Sequence, residues 1–360
     1  MSARTSGSIR VVGTGLLGTS IGLALRKIGV DVILSDASPA AQSLAIDYGA
    51  GRAALDSDRP DVIVVCVPPD VTAELVAREL RAFPNAIVTD VASVKTAILD
   101  ALTKTGEDLS RYVGSHPMAG RERGGAASGR ADLFIGRTWV ISPTSSSTAD
   151  SIKAVQDLAL DLGAAIIEVA ADEHDRAVAL VSHLPQIVAS LTAAQLIDAP
   201  QEDVALAGQG IRDTIRIAAS DPKLWVQILA ANADLVSQSL KHLSRDLDSV
   251  IQALENLGTS GSLARISEAL ERGNLGVSRL PGKHGTKATA YAVVTVMIDD
   301  KPGELARLFN EIGQAQINLE EFKLEHSPSS QVGLVEVSVM PAVESSLVTL
   351  LTGNGWRLVG

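Results

Sequence analysis

Between Ile9 and Val169 short apolar runs alternate with amphipathic stretches, and this alternation constrains the fold more than any other feature of the chain. The strand candidates are Ile9–Val12, Asp31–Ser35, Val62–Val67, Ala86–Thr89, Tyr112–Gly114, Trp139–Ser142 and Ile166–Val169. Stretches such as Val71–Phe83 and Ala149–Leu162 lie between them and read as helices. A strand that is apolar throughout has no wet face, so helices must cover both sides of its sheet. Residues 1–170 are therefore expected to form an α/β domain built from βαβ units around a mostly parallel, doubly wound sheet. Cys66 falls inside one apolar run and reads as a small buried hydrophobe.

The pattern changes twice further on. From Ala171 to Leu280 the strands give way to long helical patterns rich in alanine and leucine, broken by Asp221-Pro222 and the Gly258–Gly261 turn. Their wide apolar faces predict an all-α domain over 171–280 that packs against a copy of itself, making a homodimer. Residues 281–290 read as a linker, opening on Leu280-Pro-Gly-Lys-His-Gly285. The segments Tyr291–Ile298, Glu304–Ile312, Ile317–Glu325, Gly333–Val339, Ala342–Leu351 and Trp356–Val359 run strand, helix, strand, strand, helix, strand. That order predicts a ferredoxin-like βαββαβ domain over 291–360.

Several classes of function are disfavoured. The 360 residues carry 31 basic and 42 acidic side chains, a net charge of −11 that repels nucleic acid and anionic membranes. Aromatic residues make up only 3%, too few for a base-stacking platform, and the single cysteine rules out a disulfide framework. Val11–Leu25 imitates a signal peptide, but it holds four glycines and leads straight into the next strand. Ala177–Ile197 carries no Asp, Glu, Lys or Arg, yet includes His183, Pro185 and Gln186, and reads as a buried helix rather than a membrane span. A cytoplasmic protein is expected. Arg272–Ile298 contains Arg279, Lys283 and Lys287 without an acid, and reads as a solvated linker.

Gly13-Thr-Gly15-Leu16-Leu17-Gly18 follows the first strand and opens a helix. In this Rossmann-type context the first glycine allows a tight turn and the second lets the backbone approach a pyrophosphate. The third lets the helix pack on the strand, with the phosphates at the helix's positive end. Asp36 ends the second strand, where a carboxylate can hold a ribose 2′-hydroxyl and repel a 2′-phosphate, so NAD is expected over NADP. Ser93 and His116 lie beyond the carboxyl ends of later strands. On spacing alone His116 is either a proton acceptor beside a nicotinamide or a loop cap. In the helical block Ser182-His183 lies within the uncharged run, and further on Arg212, Asp213 and Arg216 can share a helix face. They form either a fork for a substrate carboxylate or a surface ion-pair ladder.

Taken together, these residues resemble the prephenate and arogenate dehydrogenases. The matching stretches are Gly13–Gly18, Asp90-Val-Ala-Ser-Val-Lys95, His116-Pro-Met-Ala-Gly-Arg-Glu122, Ser182-His-Leu-Pro185, Arg212-Asp-Thr-Ile-Arg216 and Ser220-Asp-Pro222 with Trp225. The C-terminal block resembles an ACT domain through Asp300-Lys-Pro-Gly303-Glu-Leu-Ala-Arg-Leu-Phe309 and Asn318. The resemblance implies oxidative decarboxylation of prephenate, or of arogenate, with NAD. It makes His116 the proton acceptor and Ser93 its partner on the substrate hydroxyl. It places Arg216 on a substrate carboxylate, with His183 and Glu122 lining the pocket and Asp213 orienting His183 or Arg216. No metal is implied. L-Tyrosine is the implied effector, near Asp300, Gly303 and Asn318. A β-hydroxyacid dehydrogenase of the same plan would instead carry a catalytic lysine in the helical block.

Overall fold

A computed structural model of the chain describes residues 3–121, 124–280, 291–326 and 332–359. The chain divides into two compact units, Met1–Ser244 and Arg245–Gly360.

The first unit is built on eight strands: β1 (Ser8–Val12), β2 (Asp31–Ser35), β3 (Arg52–Ala53), β4 (Val62–Val65), β5 (Ile87–Asp90), β6 (Tyr112–Pro117), β7 (Thr138–Pro143) and β8 (Ala165–Glu168). Their order is β3-β2-β1-β4-β5-β6-β7-β8, and every neighbouring pair is parallel except β6 and β7. The strand order reverses at β1 and β4, which opens a crevice beyond their carboxyl ends, where doubly wound sheets bind ligands. Helices α1 (Leu16–Lys27), α2 (Pro39–Asp47), α3 (Pro69–Ala82), α4 (Thr96–Thr105) and α5 (Ala149–Asp161) fill the connections.

Both faces are dry at the central strands, whereas the edge strands β3 and β8 are largely exposed. Along β4, Val62 and Val64 join one buried cluster with Ile21 and Leu25 of α1 and Val155 and Leu158 of α5. The alternating residues Ile63 and Val65 join a second cluster with Val76 and Leu80 of α3 and Ile98 and Leu102 of α4. This two-sided burial explains why the strands read as continuous apolar runs. β3 is two residues long and escapes such a reading. β6 runs on through Pro117, so His116 stands in the strand itself rather than in the loop after it.

The helical block begins with α6 (Ala171–Val178), a wide π-helical turn over Ala179–His183, and α7 (Leu184–Ala194). Together they form a run long and apolar enough to cross a membrane by length and composition, of which 28% of the most apolar window is buried in the chain. The expected burial holds for His183, Gln186 and Ala189, whereas Leu180, Val181 and Leu191 stand exposed. Then follow α8 (Gln201–Val204), α9 (Gln209–Ile215), a 3₁₀ turn over Arg216–Ala219, α10 (Pro222–Ala231) and α11 (Ala233–Glu255). Asp221 caps α10 by accepting the Lys223 N–H.

The second unit takes in the end of α11, then α12 (Ser262–Val277), and a four-stranded antiparallel sheet. Its strands are β9 (Ala292–Asp299), β10 (Glu321–His326), β11 (Val332–Val339) and β12 (Arg357–Val359), in the order β10-β11-β9-β12. Helices α13 (Glu304–Gln314) and α14 (Glu344–Gly353) bury Leu308, Ile312, Leu347 and Leu351 against Val294, Val296, Ile298, Val335 and Val337. This is the ferredoxin-like arrangement expected from the order of elements. The strand expected at Ile317–Glu325 begins only at Glu321, and Glu320 makes the first contact by donating its N–H to Ser338 O. The linker 281–290 lies outside the described residues.

Glycine is demanded where α1 meets β1. A Cβ on Gly18 would lie 1.9 Å from the Gly13 carbonyl oxygen, a backbone atom that cannot swing aside. Gly18→Ala is expected to cost about 1–3 kcal/mol of unfolding free energy in urea melts, because α1 must lift off the strand. Gly15→Ala meets nothing within 4 Å and is expected to cost less.

Candidate active site

The glycine turn is fixed by close backbone approach. Gly13, at φ +96°, donates its N–H to Ser35 O at 2.7 Å, and a Cβ there would sit 2.3 Å from the Cys66 carbonyl oxygen. Gly15 caps α1 without a side-chain hydrogen bond, and the space around its Cβ position is open. The first amides of α1, from Leu16 and Leu17 onward, thus head a helix with room above it for an anion. Asp36 sits beside this turn. Its Oδ2 accepts the N–H and hydroxyl of Thr14 at 2.6 and 2.8 Å, and its Oδ1 accepts the Ser38 N–H at 2.8 Å. The next basic side chain along the sequence, Arg52, is committed elsewhere: its Nη2 donates to Asp31 Oδ2 at 2.9 Å and to Asp58 Oδ1 at 2.7 Å. The Asp36 side chain beside the turn and an Arg52 already paired with Asp31 and Asp58 suit a ribose with a free 2′-hydroxyl. Open space at Gly15, tight packing at Gly13 and Gly18, and this charge pattern fit NAD.

A second group of residues gathers beyond β5 and β6, whose Asp90 and Gly114 pair in register. Asp90 is fully buried and accepts the Tyr112 hydroxyl at 2.7 Å, the Ala92 N–H at 2.9 Å, and the Lys95 ammonium. Lys95, equally buried, also donates to Ser115 O at 2.7 Å. Burial drives the Lys95 pKa down and Asp90 opposes it, while the same burial, with Asp90 adjoining, pushes the Tyr112 phenol well up. These bonds lock the strand ends that carry the half-buried Ser93 and His116.

His116 meets the helical block. Its Nδ1 lies 2.9 Å from Nε2 of His174, and Nδ1 of His174 lies 2.8 Å from Asp175 Oδ1. Asp175 also accepts the N–H groups of Lys95 and Thr96, both at 2.8 Å, where α4 begins. Burial raises the Asp175 pKa, but the bonds from His174 and from the α4 amides outweigh it and hold the carboxyl below its ordinary value. Desolvation, then His174, Lys95 and His183, depress the His116 pKa well below that of an ordinary histidine, so the imidazole is neutral, with a lone pair open to a proton, near neutral pH.

His183 is buried, with its Nδ1 3.2 Å from Asn232 Nδ2, which also donates to Asp175 O at 2.8 Å. Trp225 stands edge-on to the His183 ring at 6.1 Å between centroids. Asn232, rather than Asp213, therefore holds His183. Asp213 is exposed and accepts from Gln209 Nε2 at 2.8 Å. Arg216 starts the exposed 3₁₀ turn after α9, and α7 packs against that turn. Glu122 lies outside the described residues. In the second unit, Gly303 heads α13 at φ +93°, Asp300 is exposed, and Asn318 donates to Glu320 Oε1 at 2.7 Å. His174, Asp175 and Asn232 were not singled out from sequence. The adjacent His174-Asp175 pair, opening a helix just past the end of β8, was the available signal.

Two family models match the chain. The prephenate dehydrogenase nucleotide-binding domain matches residues 21–168, and the prephenate dehydrogenase dimerization domain matches residues 170–268. A Streptomyces niveus protein named probable prephenate dehydrogenase NovF is 38% identical over 353 residues, covering 96% of this chain and 98% of its own length. The prephenate dehydrogenase of Bacillus subtilis (strain 168) is 24% identical over 349 residues, 92% of this chain and 91% of its own. Among solved structures, prephenate dehydrogenase from A. aeolicus in complex with hydroxyphenyl propionate and NAD+ is similar at a TM-score of 0.66 and 25% identity, over 76% of this chain and 99% of that one. Synechocystis arogenate dehydrogenase is similar at 0.61 and 26%, over 74% and 99%.

Burial lowers the His183 pKa from 6.5 to about 4, with His174 adding to the shift and Asp175 opposing it. The folded state thus binds fewer protons than the unfolded chain between those values. The resulting stability is complete above about pH 6.5 and is lost as pH falls toward 4. Thermal melts should show a decline across this window. In His183→Asn that decline should shrink, by up to roughly 3 kcal/mol in the equivalent unfolding free energy.

Proposed function

The chain belongs to the prephenate dehydrogenase family, and we propose that it oxidatively decarboxylates prephenate to 4-hydroxyphenylpyruvate with NAD, as a cytoplasmic homodimer. The observation that carries this reading is a neutral, half-buried His116 at the end of β6 with its Nδ1 already bonded, beside the cofactor crevice of a doubly wound sheet. Bound NAD supplies the acceptor for the hydride from the ring carbinol as carbon dioxide leaves, and the gain of aromaticity makes the step effectively irreversible.

The protein's share is positioning and proton acceptance. Ser93, in the loop after β5, orients the ring hydroxyl, and Nε2 of His116 takes its proton. Arg216 holds a substrate carboxylate in paired hydrogen bonds, with Asp213 three residues before it on the same turn of chain. His183, fixed by Asn232 and Trp225, shapes the pocket wall. Glu122 is assigned to the same pocket by the family motif, and a carboxylate there would favour the side-chain ammonium of arogenate. In the second unit we read an ACT domain that senses L-tyrosine near Asp300, Gly303 and Asn318. Its ferredoxin-like strand order and the glycine heading α13 support this reading.

Initial rates of reduced-cofactor formation, with prephenate and arogenate crossed against NAD and NADP, are expected to be highest for prephenate with NAD. Absence of turnover in all four combinations would defeat the reading. His116→Asn should lower kcat by roughly 10²–10⁴ with little change in KM. Arg216→Ala should act mainly through KM. Added L-tyrosine is expected to change the rate or the melting temperature; if it moves neither, the second unit has no sensing role.

A further inference from the structure

We propose that His174, held by Asp175, is a positioning residue that fixes His116 in the tautomer whose Nε2 carries the free lone pair. The proposal rests on the reading of His116 as proton acceptor. It follows from counting donors and acceptors outward from Asp175. An ionised carboxylate only accepts, and Asp175 already takes the backbone N–H groups of Lys95 and Thr96 at the start of α4. The 2.8 Å contact from Asp175 Oδ1 to His174 Nδ1 therefore needs a hydrogen on that nitrogen. A neutral imidazole carries a single N–H, so Nε2 of His174 is left as an acceptor. The 2.9 Å contact between His174 Nε2 and His116 Nδ1 then needs its hydrogen on His116. Nε2 of His116 is the one basic atom at the end of the series, and no described residue hydrogen-bonds to it.

The surroundings hold the series in place. His174 and Asp175 are both about 2% exposed, so water does not compete for their bonds. Asp175 is braced at its carboxylate by α4 and at its carbonyl oxygen by Asn232, which leaves His174 little freedom to turn. The opposite assignment, with a doubly protonated His174 donating to His116, would put the hydrogen of His116 on Nε2 and remove the base.

The test is nitrogen NMR on histidine-labelled full-length protein near neutral pH, with the His116 resonances identified by their loss in His116→Asn. The wild type is expected to show His116 protonated at Nδ1. A wild-type His116 protonated at Nε2 overturns the proposal without any variant. His174→Leu, which leaves Nδ1 of His116 without an acceptor, should move His116 toward the Nε2–H form. Its kcat should fall roughly 10- to 100-fold with KM nearly unchanged. His174→Gln offers an amide oxygen where Nε2 stood, and should restore both the tautomer and most of the rate. Loss of rate in His174→Leu with an unchanged tautomer would reduce His174 to a packing residue and overturn the proposal. Full turnover in His116→Asn would instead remove the base reading itself, and the two failures are therefore distinct.

Discussion

The carboxylate of Asp175 ties the two halves of the first unit together. It comes from α6 in the helical block, yet its bonds go to the first amides of α4, which belongs to the sheet layer. An anion at a helix N-terminus is stabilised both by the amides that lack intrahelical partners and by the helix dipole. Buried as it is, this carboxylate would be costly without those donors. The contact is one of those that join the two parts of Met1–Ser244, although the sequence and the family models both mark a boundary near residue 170. It also sets the position of His174, and with it the face on which His116 is met.

Beneath this contact lies a second polar group that is harder to justify energetically. Asp90 and Lys95 are an ion pair with almost no exposure, and pairs of this kind seldom repay their desolvation. Here further bonds offset that cost: Tyr112 and Ala92 donate to Asp90, and Ser115 O accepts from Lys95. The pair therefore fixes the carboxyl ends of β5 and β6 relative to each other at the point where Ser93 and His116 emerge. Its ammonium also bears on His116, adding to the desolvation that keeps the imidazole neutral. The same buried cation thus fixes the strand ends and helps keep the imidazole uncharged.

Much of this was legible in the residues. A strand buried on both faces must be apolar throughout, and that property announced β1, β2 and β4 within a residue or two. Gly13 and Gly18 stand where only glycine fits, so the turn motif carried its own physical reason. β3, two residues at the sheet edge, has no such periodic signal. His116 was visible because it stands at the carboxyl end of an apolar strand and is followed by Pro117, although the strand was expected to end before it. His174 lay in the charged run Asp172-Glu-His-Asp175, where a histidine looks like an ordinary surface residue. Its partner His116 and the Lys95 amide that meets its neighbour Asp175 both lie more than fifty residues away, and local pattern does not register contacts at that distance.

The π-helical turn accounts for the rest of what local pattern missed. Asp175 and His183 are eight residues apart, and in a regular helix they would point about 80° away from each other. The widened turn over Ala179–His183 accommodates one extra residue, which takes back about 100° and brings the two within roughly 20°. Asn232 can then reach the Asp175 carbonyl and the His183 ring with one amide group. Read with a constant period of 3.6, the uncharged run looks like a helix buried all round. With the turn in place, His183 and Gln186 face inward while Leu180, Val181 and Leu191 remain uncovered by their own chain. A single apolar helix can therefore hold inward-facing polar residues and still present an exposed apolar face, in a region that matches the prephenate dehydrogenase dimerization domain.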